Sequence, residues 1–472
     1  MLLKQDSPHE ECGIFGIRTQ LDEAAGITYN ALLALQHRGQ EGAGIAVLRE
    51  HSILYHKNVG LVSEVFTRPV LEKLPHAHCA IGHVRYSTTG SNTRDNAQPM
   101  VKEFLRGRIA AAHNGNILNA AEIRRSLFEA GCDFAATNDS EVIASLIAYE
   151  ALCCGDVEKA VENAAKKIAG AFTVVVLSSD GRLIALRDGN GFRPLCLGRQ
   201  GENVAIASES CALESAGFHF ERDIAPGEMV VVEEDGAVKS RMVLPGKKRG
   251  MCVFEYVYFA RTDSVLDGLS VYEARLRMGA ALFRECPAPA DIVCGVPDSG
   301  LAAALGYAKE SGLPYAPAFV KNRYIGRSFI FPTQAQRDAA VRLKLSPLAA
   351  SVEGKRVVLV DDSIVRGTTG AQIVASLKDA GAKEVHLRIS SPPFRYACHF
   401  GTDIDDPDTL IANRLSLEET AGRMGADSLG YISIKALTAC CAGQGRQFCD
   451  GCFSGHYPIE SPESRKDLFE AR

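Results

Sequence analysis

The segment that most constrains the fold lies in the second half of the chain, at residues 357–369, and reads VVLVDDSIVRGTT. Its four leading apolar residues predict a buried strand, and two carboxylates, Asp361 and Asp362, follow at the strand end. Adjacent acids at such a position are costly to desolvate unless a ligand binds them, as paired hydroxyl groups or Mg²⁺ would. The alternative is a solvated acidic turn capped by Ser363, which is disfavoured because Asp is depleted on apolar strands.

The pattern around this segment predicts an α/β domain. Buried strands are expected at residues 292–296, 357–360 and 385–389, and helices at 301–311 and 369–380. Strand–loop–helix repetition of this kind indicates a parallel sheet with helices on both faces. Ligands of such sheets bind beyond the carboxyl ends of the strands, which is where the two acids are expected.

The loop after the two acids is suited to hold a phosphate group, because it offers backbone N–H groups and hydroxyls at the start of a helix. All 13 positions of residues 357–369 resemble the phosphoribosyl pyrophosphate signature of the type I phosphoribosyltransferases. The resemblance implies that Asp361 and Asp362 bind the ribose hydroxyls and Mg²⁺. It also implies a set of residues around the 5′-phosphate, namely Ser363, Arg366, Gly367, Thr368 and Thr369.

Two further segments resemble parts of the same family. Residues 296–300, VPDSG, are similar to its pyrophosphate-side loop, and this makes Ser299 the implied third ligand on the Mg²⁺ side. Residues 321–327 are basic and resemble the flexible loop that closes over the substrate, where Lys321 and Arg327 would meet the leaving pyrophosphate. A closing loop would also exclude water. An ordinary solvated charged loop is the alternative.

The first half of the chain opens on Cys12, which follows a short polar lead at residues 1–11. If cleavage freed the Cys12 amine, that amine, with an ordinary pKa of about 8, would take the proton of the thiol and leave a nucleophilic thiolate. The lead lacks the apolar region of a secretory signal, so we expect a propeptide or a disordered tail. A small core cysteine at a strand edge is the alternative for Cys12 taken alone.

Three motifs in the first half accompany Cys12, and each would be a glycine-rich turn if taken alone. They are residues 36–42, 82–88 and 113–116, the last followed by residues 138–141. The set resembles the N-terminal-nucleophile glutamine amidotransferases. The resemblance implies that Arg85 clamps the α-carboxylate of glutamine with its planar fork and that Asp139 takes the α-ammonium. Asn114 and the N–H of Gly115 would then form the oxyanion hole.

The first half also has the pattern of an α+β domain, because short apolar runs alternate with turns and few helices. Helical spacing occurs at residues 120–130 and 139–153, and Asn114-Gly115 is a strong turn signal. Residues 245–250 are polar, basic and flexible, and we place a domain boundary there. The expected order is a propeptide at 1–11, an amidotransferase domain of layered antiparallel sheets at 12–245, a phosphoribosyltransferase domain with a parallel sheet at 251–440, and a tail at 441–472.

An amidotransferase domain followed by a phosphoribosyltransferase domain resembles the glutamine phosphoribosylpyrophosphate amidotransferases, which catalyse the first committed step of purine synthesis. The resemblance implies that ammonia from glutamine displaces pyrophosphate from phosphoribosyl pyrophosphate and gives phosphoribosylamine. It further implies Mg²⁺, feedback inhibition by AMP, GMP or ADP, a homotetramer and a cytoplasmic location. A net charge of −5 gives no reason to expect nucleic acid or a membrane surface as a partner, and no apolar run approaches the roughly 20 residues that span a bilayer.

Two other functions stay open at this point. A non-catalytic regulator can keep the phosphoribosyltransferase fold as a nucleotide sensor, although it has no need of an amide site. Another glutamine amidotransferase, such as one that aminates a sugar phosphate, is the second, although the phosphoribosyl signature opposes it. Tyr258 is the residue that we place between the two sites, with core packing as the alternative.

Fifteen cysteines, an odd and scattered set, do not resemble a disulfide framework. Cys449 and Cys452 form a C-x-x-C pair, and the contexts of Cys252 and Cys398 resemble those of the branch of the family, like the Gram-positive type, that carries a [4Fe–4S] cluster. The resemblance implies ligation by these four residues. Zinc is the chemical alternative. The nearby pair at 440–441 departs from the expected spacing and leaves the local assignment open.

Overall fold

The computed structural model describes residues 12–86, 92–244, 250–322, 345–402, 404, 406–442 and 447–460. The predicted propeptide, residues 245–249 of the predicted boundary, and Arg327 with most of its loop lie outside these ranges. All fifteen cysteines lie inside them, and none of the fifteen forms a disulfide bond there. Within the described ranges, no helix combines the length and the apolar character needed to cross a membrane.

The first domain contains two antiparallel sheets packed face to face. Its strands are β1 (Gly13–Arg18), β2 (Gly42–Arg49), β3 (Ser52–Val59), β4 (Cys79–Arg85), β5 (Met100–Phe104), β6 (Gly107–Ile117), β7 (Gly170–Ser178), β8 (Leu183–Arg187), β9 (Cys196–Gln200), β10 (Asn203–Ala207), β11 (His219–Asp223), β12 (Glu228–Val232) and β13 (Val238–Met242). In the described residues, one sheet has the order β11-β9-β10-β1-β4-β2-β3 and the other β13-β12-β8-β7-β6-β5. Apolar residues such as Ile14, Ala112 and Val175 are fully buried between the sheets.

Helices cover the outer faces of both sheets and give the layered α+β architecture predicted. They are α1 (Ala24–Ala34), α2 (Val62–Val65), α3 (Arg68–Leu71), α4 (Ala120–Glu129), α5 (Asp139–Cys154), α6 (Val157–Lys167) and α7 (Ser210–Ser215). Helix α5 begins where the Asn138 side chain accepts a hydrogen bond from the Glu141 N–H at 3.0 Å, and it ends at Gly155, which has a left-handed φ of 75°. This cap places Asp139 at the first position of the helix.

The predicted turn at Asn114-Gly115 is wrong, because both residues lie inside strand β6. They pair with Thr173 and Phe172 of β7, so the ladder continues through them. Gly115 has a φ of 141°, and a Cβ there would stand 2.0 Å from the Ala171 carbonyl oxygen. The glycine therefore permits a close approach of two strands, which a sequence pattern cannot distinguish from a turn.

The second domain is built around a parallel sheet. Its strands are β14 (Met251–Cys252), β15 (Val265–Leu266), β16 (Leu269–Ser270), β17 (Ile292–Gly295), β18 (Phe319–Lys321), β19 (Leu345–Pro347), β20 (Arg356–Asp361), β21 (Glu384–Ile389), β22 (Ser428–Tyr431) and β23 (Phe448–Cys449). A π-helical turn at Glu255–Phe259 precedes the helices α8 (Val271–Glu285), α9 (Leu301–Ser311), α10 (Ala349–Val352), α11 (Thr368–Asp379), α12 (Ile411–Arg414), α13 (Leu417–Arg423), α14 (Ile434–Cys441) and α15 (Gly451–Ser454), with a 3₁₀ turn at Pro407–Thr409.

The central sheet of the second domain has the order β17-β20-β21-β22, and its described pairings are all parallel. Side chains of β20 alternate between two cores. Val358 and Val360 pack into the core that α8 and α9 share, whereas Val357 and Leu359 pack against α11. The strand is thus buried on both faces, which confirms the predicted α/β arrangement.

The Gly- and Cys-rich end of the chain has regular structure where it is described. Cys440 and Cys441 close helix α14 and are buried in the core of the second domain. Strand β23 pairs in parallel with β14, which places Cys449 beside Cys252. The last strand of the second domain therefore pairs with its first strand.

Helices α8 and α9 cross at two glycines, and this contact yields a stability prediction. A Cβ on Gly306 would stand 2.0 Å from the Leu276 carbonyl oxygen, and one on Gly279 would stand 1.8 Å from the Ala303 carbonyl oxygen. We expect Gly306→Ala to lower the free energy of unfolding by about 1–3 kcal/mol or more, because the backbones must separate. Urea unfolding followed by circular dichroism measures this.

Gly422→Ala is the matched control, since Gly422 lies in helix α13 and a Cβ added there would meet nothing within 4 Å. Alanine is the better helix former at such a position by about 1 kcal/mol, so this variant should be at least as stable as the parent. A Gly306→Ala protein as stable as the Gly422→Ala protein would contradict the close crossing.

Candidate functional site

Strand alternation brings three of the predicted amide-site residues to one end of the sheet sandwich. Ile14 of β1 faces the core between the sheets, so Cys12, two positions earlier, lies on the same face. The same alternation applies to Asn114, two positions after Ala112, in β6. The β1–β4 register pairs Gly13 with Val84, and this puts Arg85 across from Cys12.

Cys12 is buried, and both its side chain and its backbone are held. The Sγ atom lies 3.5 Å from the Tyr86 carbonyl oxygen, to which the thiol donates. The Cys12 carbonyl oxygen accepts a hydrogen bond from Arg38 Nε at 3.1 Å. The side chain of Arg38 is fully buried, so this donor is not shared with solvent.

Arg85 lies close to this cysteine and to Asp139. Burial lowers the pKa of the Arg85 guanidinium, and the nearby Cys12, Glu41 and Asp139 side chains oppose that shift. The Asp139 carboxylate accepts a hydrogen bond from the Ile117 N–H at 3.2 Å. Arg85 is therefore a buried cation near both the thiol and the buried anion Asp139, and such a pair of charges is complementary to a zwitterionic amino acid.

Asn114 offers a donor that is not otherwise used. The residue is buried, and across the described part of the chain its Nδ2 group has no hydrogen-bond partner. Buried amide groups are rarely left in this state without a reason such as a catalytic role. An unsatisfied donor on the face shared with Cys12 is suited to receive an oxyanion.

The acidic pair lies at the carboxyl end of β20, as predicted. Asp362 accepts hydrogen bonds from Ser299 Oγ, at 2.6 Å on Oδ1, and from Ser363 Oγ on Oδ2. Its own N–H donates to Asp361 Oδ1 at 2.9 Å. Burial raises the pKa of both carboxyls, and for Asp361 the adjacent Asp362 charge adds to the effect. The site is therefore deficient in positive charge.

The loop beyond the acids leads into helix α11. Gly367 has a left-handed φ of 83°, and the Val365 carbonyl oxygen accepts a hydrogen bond from the Ile411 N–H at 2.9 Å. Thr368 is exposed at the start of the helix, and the N-terminus of a helix favours an anion. On the other side of the sheet end, Lys321 forms an ion pair with Asp298, the residue before Ser299.

The four cysteines of the predicted cluster come together, although they derive from three distant segments. Cys252 and Cys449 are register partners of β14 and β23. The Cys452 carbonyl oxygen accepts from the N–H groups of 395 and 396, close to Cys398. Burial raises the pKa of the Cys452 thiol well above its usual range, and Cys398, Cys252 and Cys449 add to this. Across the described residues, no group of three or more His, Cys, Asp or Glu side chains has the arrangement that holds a metal ion.

The π-helical turn at Glu255–Phe259 lies between the two sites. Its first residue, Glu255, accepts two hydrogen bonds from Arg38 at 3.0 and 2.8 Å. Its later part is held by Arg275 of α8, which donates to the Tyr258 carbonyl oxygen at 3.2 Å and to the Ala260 carbonyl oxygen at 2.8 Å. Burial lowers the pKa of Arg275 to about 10, and Asp362 is the first acid that opposes the shift.

Comparison with known proteins agrees with both halves of this description. Residues 83–215 match the glutamine amidotransferase domain family. The chain is 46% identical over 463 residues to an amidophosphoribosyltransferase of Synechocystis sp., covering 97% of this chain and 93% of that one. It is 47% identical over 466 residues to an amidophosphoribosyltransferase of Methanocaldococcus jannaschii, covering 95% and 98%. The chain belongs to the amidophosphoribosyltransferase family.

Solved structures support the same conclusion over both domains. A structure of glutamine phosphoribosylpyrophosphate amidotransferase from B. subtilis, complexed with ADP and GMP, matches with a TM-score of 0.89 and 41% identity, covering 96% of this chain and 99% of that chain. A structure of an allosteric regulatory enzyme of purine biosynthesis matches with a TM-score of 0.90. Amidophosphoribosyltransferases therefore share the order and the architecture of both domains with this chain.

The charged side chains that connect the two sites were not predicted from the sequence. Arg38 lies in a motif that was singled out, but its contact with Glu255 joins residues of different domains. Arg275 lies in none of the motifs identified in the sequence. Arg275 is 4% exposed and lies on a helix face that is otherwise apolar. A charged residue in such a pattern was the available sign that it has a buried partner.

The raised pKa values of the acidic pair predict that Asp361→Asn stabilises the unliganded protein. A carboxyl with a raised folded pKa destabilises the fold as pH rises above its unfolded pKa of about 4. At pH 7 the asparagine variant should therefore melt higher by about 2–4 °C, and the difference should vanish near pH 3. Differential scanning calorimetry at both pH values measures it.

Asp291→Asn is the control, because Asp291 has the opposite environment. Hydrogen bonds from Arg356 lower its pKa to about 2, so removing its charge should not raise the melting temperature. If Asp361→Asn melts below the parent at pH 7, the charge of Asp361 does not destabilise the unliganded fold, and the prediction is wrong.

Proposed function

We propose that this chain transfers ammonia from glutamine to phosphoribosyl pyrophosphate, giving 5-phosphoribosylamine, glutamate and pyrophosphate, the first committed step of purine synthesis. The observation that carries the proposal is the presence of two prepared sites in one chain. Cys12 lies with Arg85, Asp139 and the unpartnered amide of Asn114, while Asp361 and its neighbours occupy a strand end in the second domain. A nucleotide sensor would have no need of the first site.

In the glutamine reaction, the Cys12 thiolate attacks the side-chain amide carbon and forms a glutamyl thioester. With residues 1–11 removed, the free Cys12 amine takes the thiol proton and passes it to the departing ammonia, and water then hydrolyses the thioester to glutamate. Arg85 holds the α-carboxylate, and Asp139 holds the α-ammonium. Asn114 Nδ2 and the Gly115 N–H donate to the tetrahedral oxyanion, where loss of one donor typically costs about 10²–10³ in rate.

In the second reaction, ammonia forms a bond to C1 of the ribose as the bond to pyrophosphate breaks. Asp361 and Asp362 bind the ribose hydroxyls, and the loop that contains Arg366, Gly367, Thr368 and Thr369, with Ser363, holds the 5′-phosphate. Lys321 and Arg327 would bind the pyrophosphate. Mg²⁺ would be held by the acidic pair and Ser299, and when bound it neutralises pyrophosphate charge.

Ammonia travels inside the protein between the two reactions. Tyr258 is half-buried in the π-helical turn that contacts both sites, and its ring lies 5.9 Å from those of Phe254 and Phe259. An apolar aromatic wall of this kind excludes water, which would protonate ammonia and end its nucleophilicity. We assign the path to this turn.

Cys252, Cys398, Cys449 and Cys452 are proposed as the ligands of a [4Fe–4S] cluster. The proposal is supported by the mutual electrostatic influence of these thiols, since, in addition to burial, Cys398, Cys252 and Cys449 all raise the pKa of Cys452, and by the four thiolates that such a cluster takes. The cluster would tie the end of the chain to the start of the second domain. A zinc ion on the same thiols is the alternative.

We further propose cleavage after residue 11, a homotetramer, feedback inhibition by purine nucleotides such as AMP, GMP or ADP, and a cytoplasmic location. The B. subtilis relative was solved with ADP and GMP bound, which supports the choice of nucleotides to test.

The decisive test of the two-site function is Cys12→Ala. We expect glutamine-dependent synthesis of phosphoribosylamine to fall below detection while ammonia-dependent synthesis continues, because the second site is chemically separate. Cys79→Ala changes another buried cysteine of the same sheet and should keep both activities. Loss of both activities in folded Cys12→Ala protein, or active protein whose amino terminus is still Met1, would contradict the scheme.

The cluster assignment predicts brown protein that contains iron and sulfide. Cys449→Ser should be colourless and less stable, whereas Cys441→Ala, in the same part of the chain but inside helix α14, should keep the metal. Anaerobic protein is assayed for iron, sulfide and zinc. If the protein contains one zinc ion and no iron, the four cysteines form a zinc site and the cluster assignment is wrong. If the protein contains no metal and the end of its chain still resists protease, both the cluster and the zinc assignment are wrong.

A further inference from the structure

Four buried charges join the two domains beside Cys12. Arg38 donates to Glu209 Oε1 at 2.6 Å and, with two nitrogens, to both carboxylate oxygens of Glu255. Arg193 lies 3.5 Å from Glu255 Oε1 and donates to the Phe400 carbonyl oxygen at 2.5 Å. All four charged side chains are fully buried, and their charges sum to zero.

The two acids of this network have different roles. Glu209 belongs to the first domain and has partners beyond Arg38, since it also accepts from His37 Nε2, from the Arg261 N–H and from Ser264 Oγ at 2.6–2.8 Å. Glu255 belongs to the second domain and holds the planar fork of Arg38 in a bidentate pair, which fixes the orientation of the guanidinium.

The orientation of Arg38 matters because its Nε–H group reaches the nucleophilic residue. Arg38 Nε donates to the Cys12 carbonyl oxygen at 3.1 Å. When Cys12 is the first residue of the chain, no preceding peptide holds it, so its position depends on contacts made from its carbonyl side. The guanidinium that supplies one of these contacts is in turn set by a carboxylate of the other domain.

We propose that Glu255 is a positioning residue for the glutamine reaction, acting through Arg38 on the backbone of Cys12. The inference rests on the proposed function, in which Cys12 is the nucleophile and its amine the base. Glu255 touches neither substrate nor thiol. Through this contact the second domain sets the geometry of the amide site in the first.

Glu255→Gln keeps the size of the side chain and removes its charge. We expect kcat for glutamine-dependent synthesis to fall by about 10- to 100-fold, because small misplacements of a reacting group cost that much. The KM for glutamine should change much less, since Arg85 and Asp139 are untouched. Ammonia-dependent synthesis should stay within about twofold, because no step of that reaction uses Cys12.

The double variant Glu255→Gln/Arg193→Gln separates geometry from charge. In the described residues, the charged groups around Cys12 include the cations Arg38, Arg85 and Arg193 and the acids of residues 41, 139, 209 and 255. Relative to the parent, Glu255→Gln removes one negative charge, which should lower the pKa of the Cys12 amine and move the pH–rate profile to lower pH. The double variant also removes one positive charge and so restores the net charge of the parent, and the profile should return while the loss in kcat persists.

Recovery of kcat in the double variant would overturn the positioning role, because charge alone would then explain the effect. If Glu255→Gln does not fold, Glu255→Asp keeps the charge and shortens the reach, and it should lose glutamine-dependent kcat while keeping the ammonia reaction. Parental glutamine-dependent kcat in any folded Glu255 variant would refute the inference and leave the function intact. A Cys12→Ala protein that keeps glutamine-dependent synthesis would instead refute the proposed function itself.

Discussion

The ion pairs among Arg38, Arg193, Glu209 and Glu255 are the interaction on which the arrangement of this molecule depends. A buried charge is tolerated only when an oppositely charged group bonds it with good geometry. Removal of one partner leaves the other charge buried and unpaired, which typically lowers the stability of the fold by about 3–5 kcal/mol. The four side chains come from both domains, so the match exists only when the domains are correctly placed. An apolar interface would tolerate small shifts of one domain against the other, whereas these ion pairs fix the relative position of the two domains.

The two sites follow from simpler rules on either side of that interface. In the first domain, alternation along β1 and β6 puts Cys12 and Asn114 on the inner face at the open end of the sandwich. In the second, the parallel sheet puts Asp361 at a carboxyl strand end. Each fold provides the position, and the side chain at that position provides the chemistry.

These rules explain how much could be predicted from the sequence. The strand before Asp361 and the helix that starts at Asp139 were accessible, because apolar periodicity and helical spacing are local signals. The set of four cysteines came from the resemblance to a family and not from a local pattern. The Asn114-Gly115 pair was misread as a turn, since the close approach to Ala171 depends on a strand more than fifty positions away. The pairing of Arg38 with Glu255 was invisible for the same reason, and no local pattern distinguishes a buried arginine from a solvated one.

The parallel pairing of β14 with β23 has a consequence for the order of folding. The two strands bound the second domain at its start and its end, so their contact closes the longest loop in that domain. Closing a long loop before its interior is ordered gains few contacts and loses much chain entropy, so local elements such as α8 and α9 form first. The pocket of four thiols is then assembled late, and a metal captured there would report that the rest of the domain has already folded.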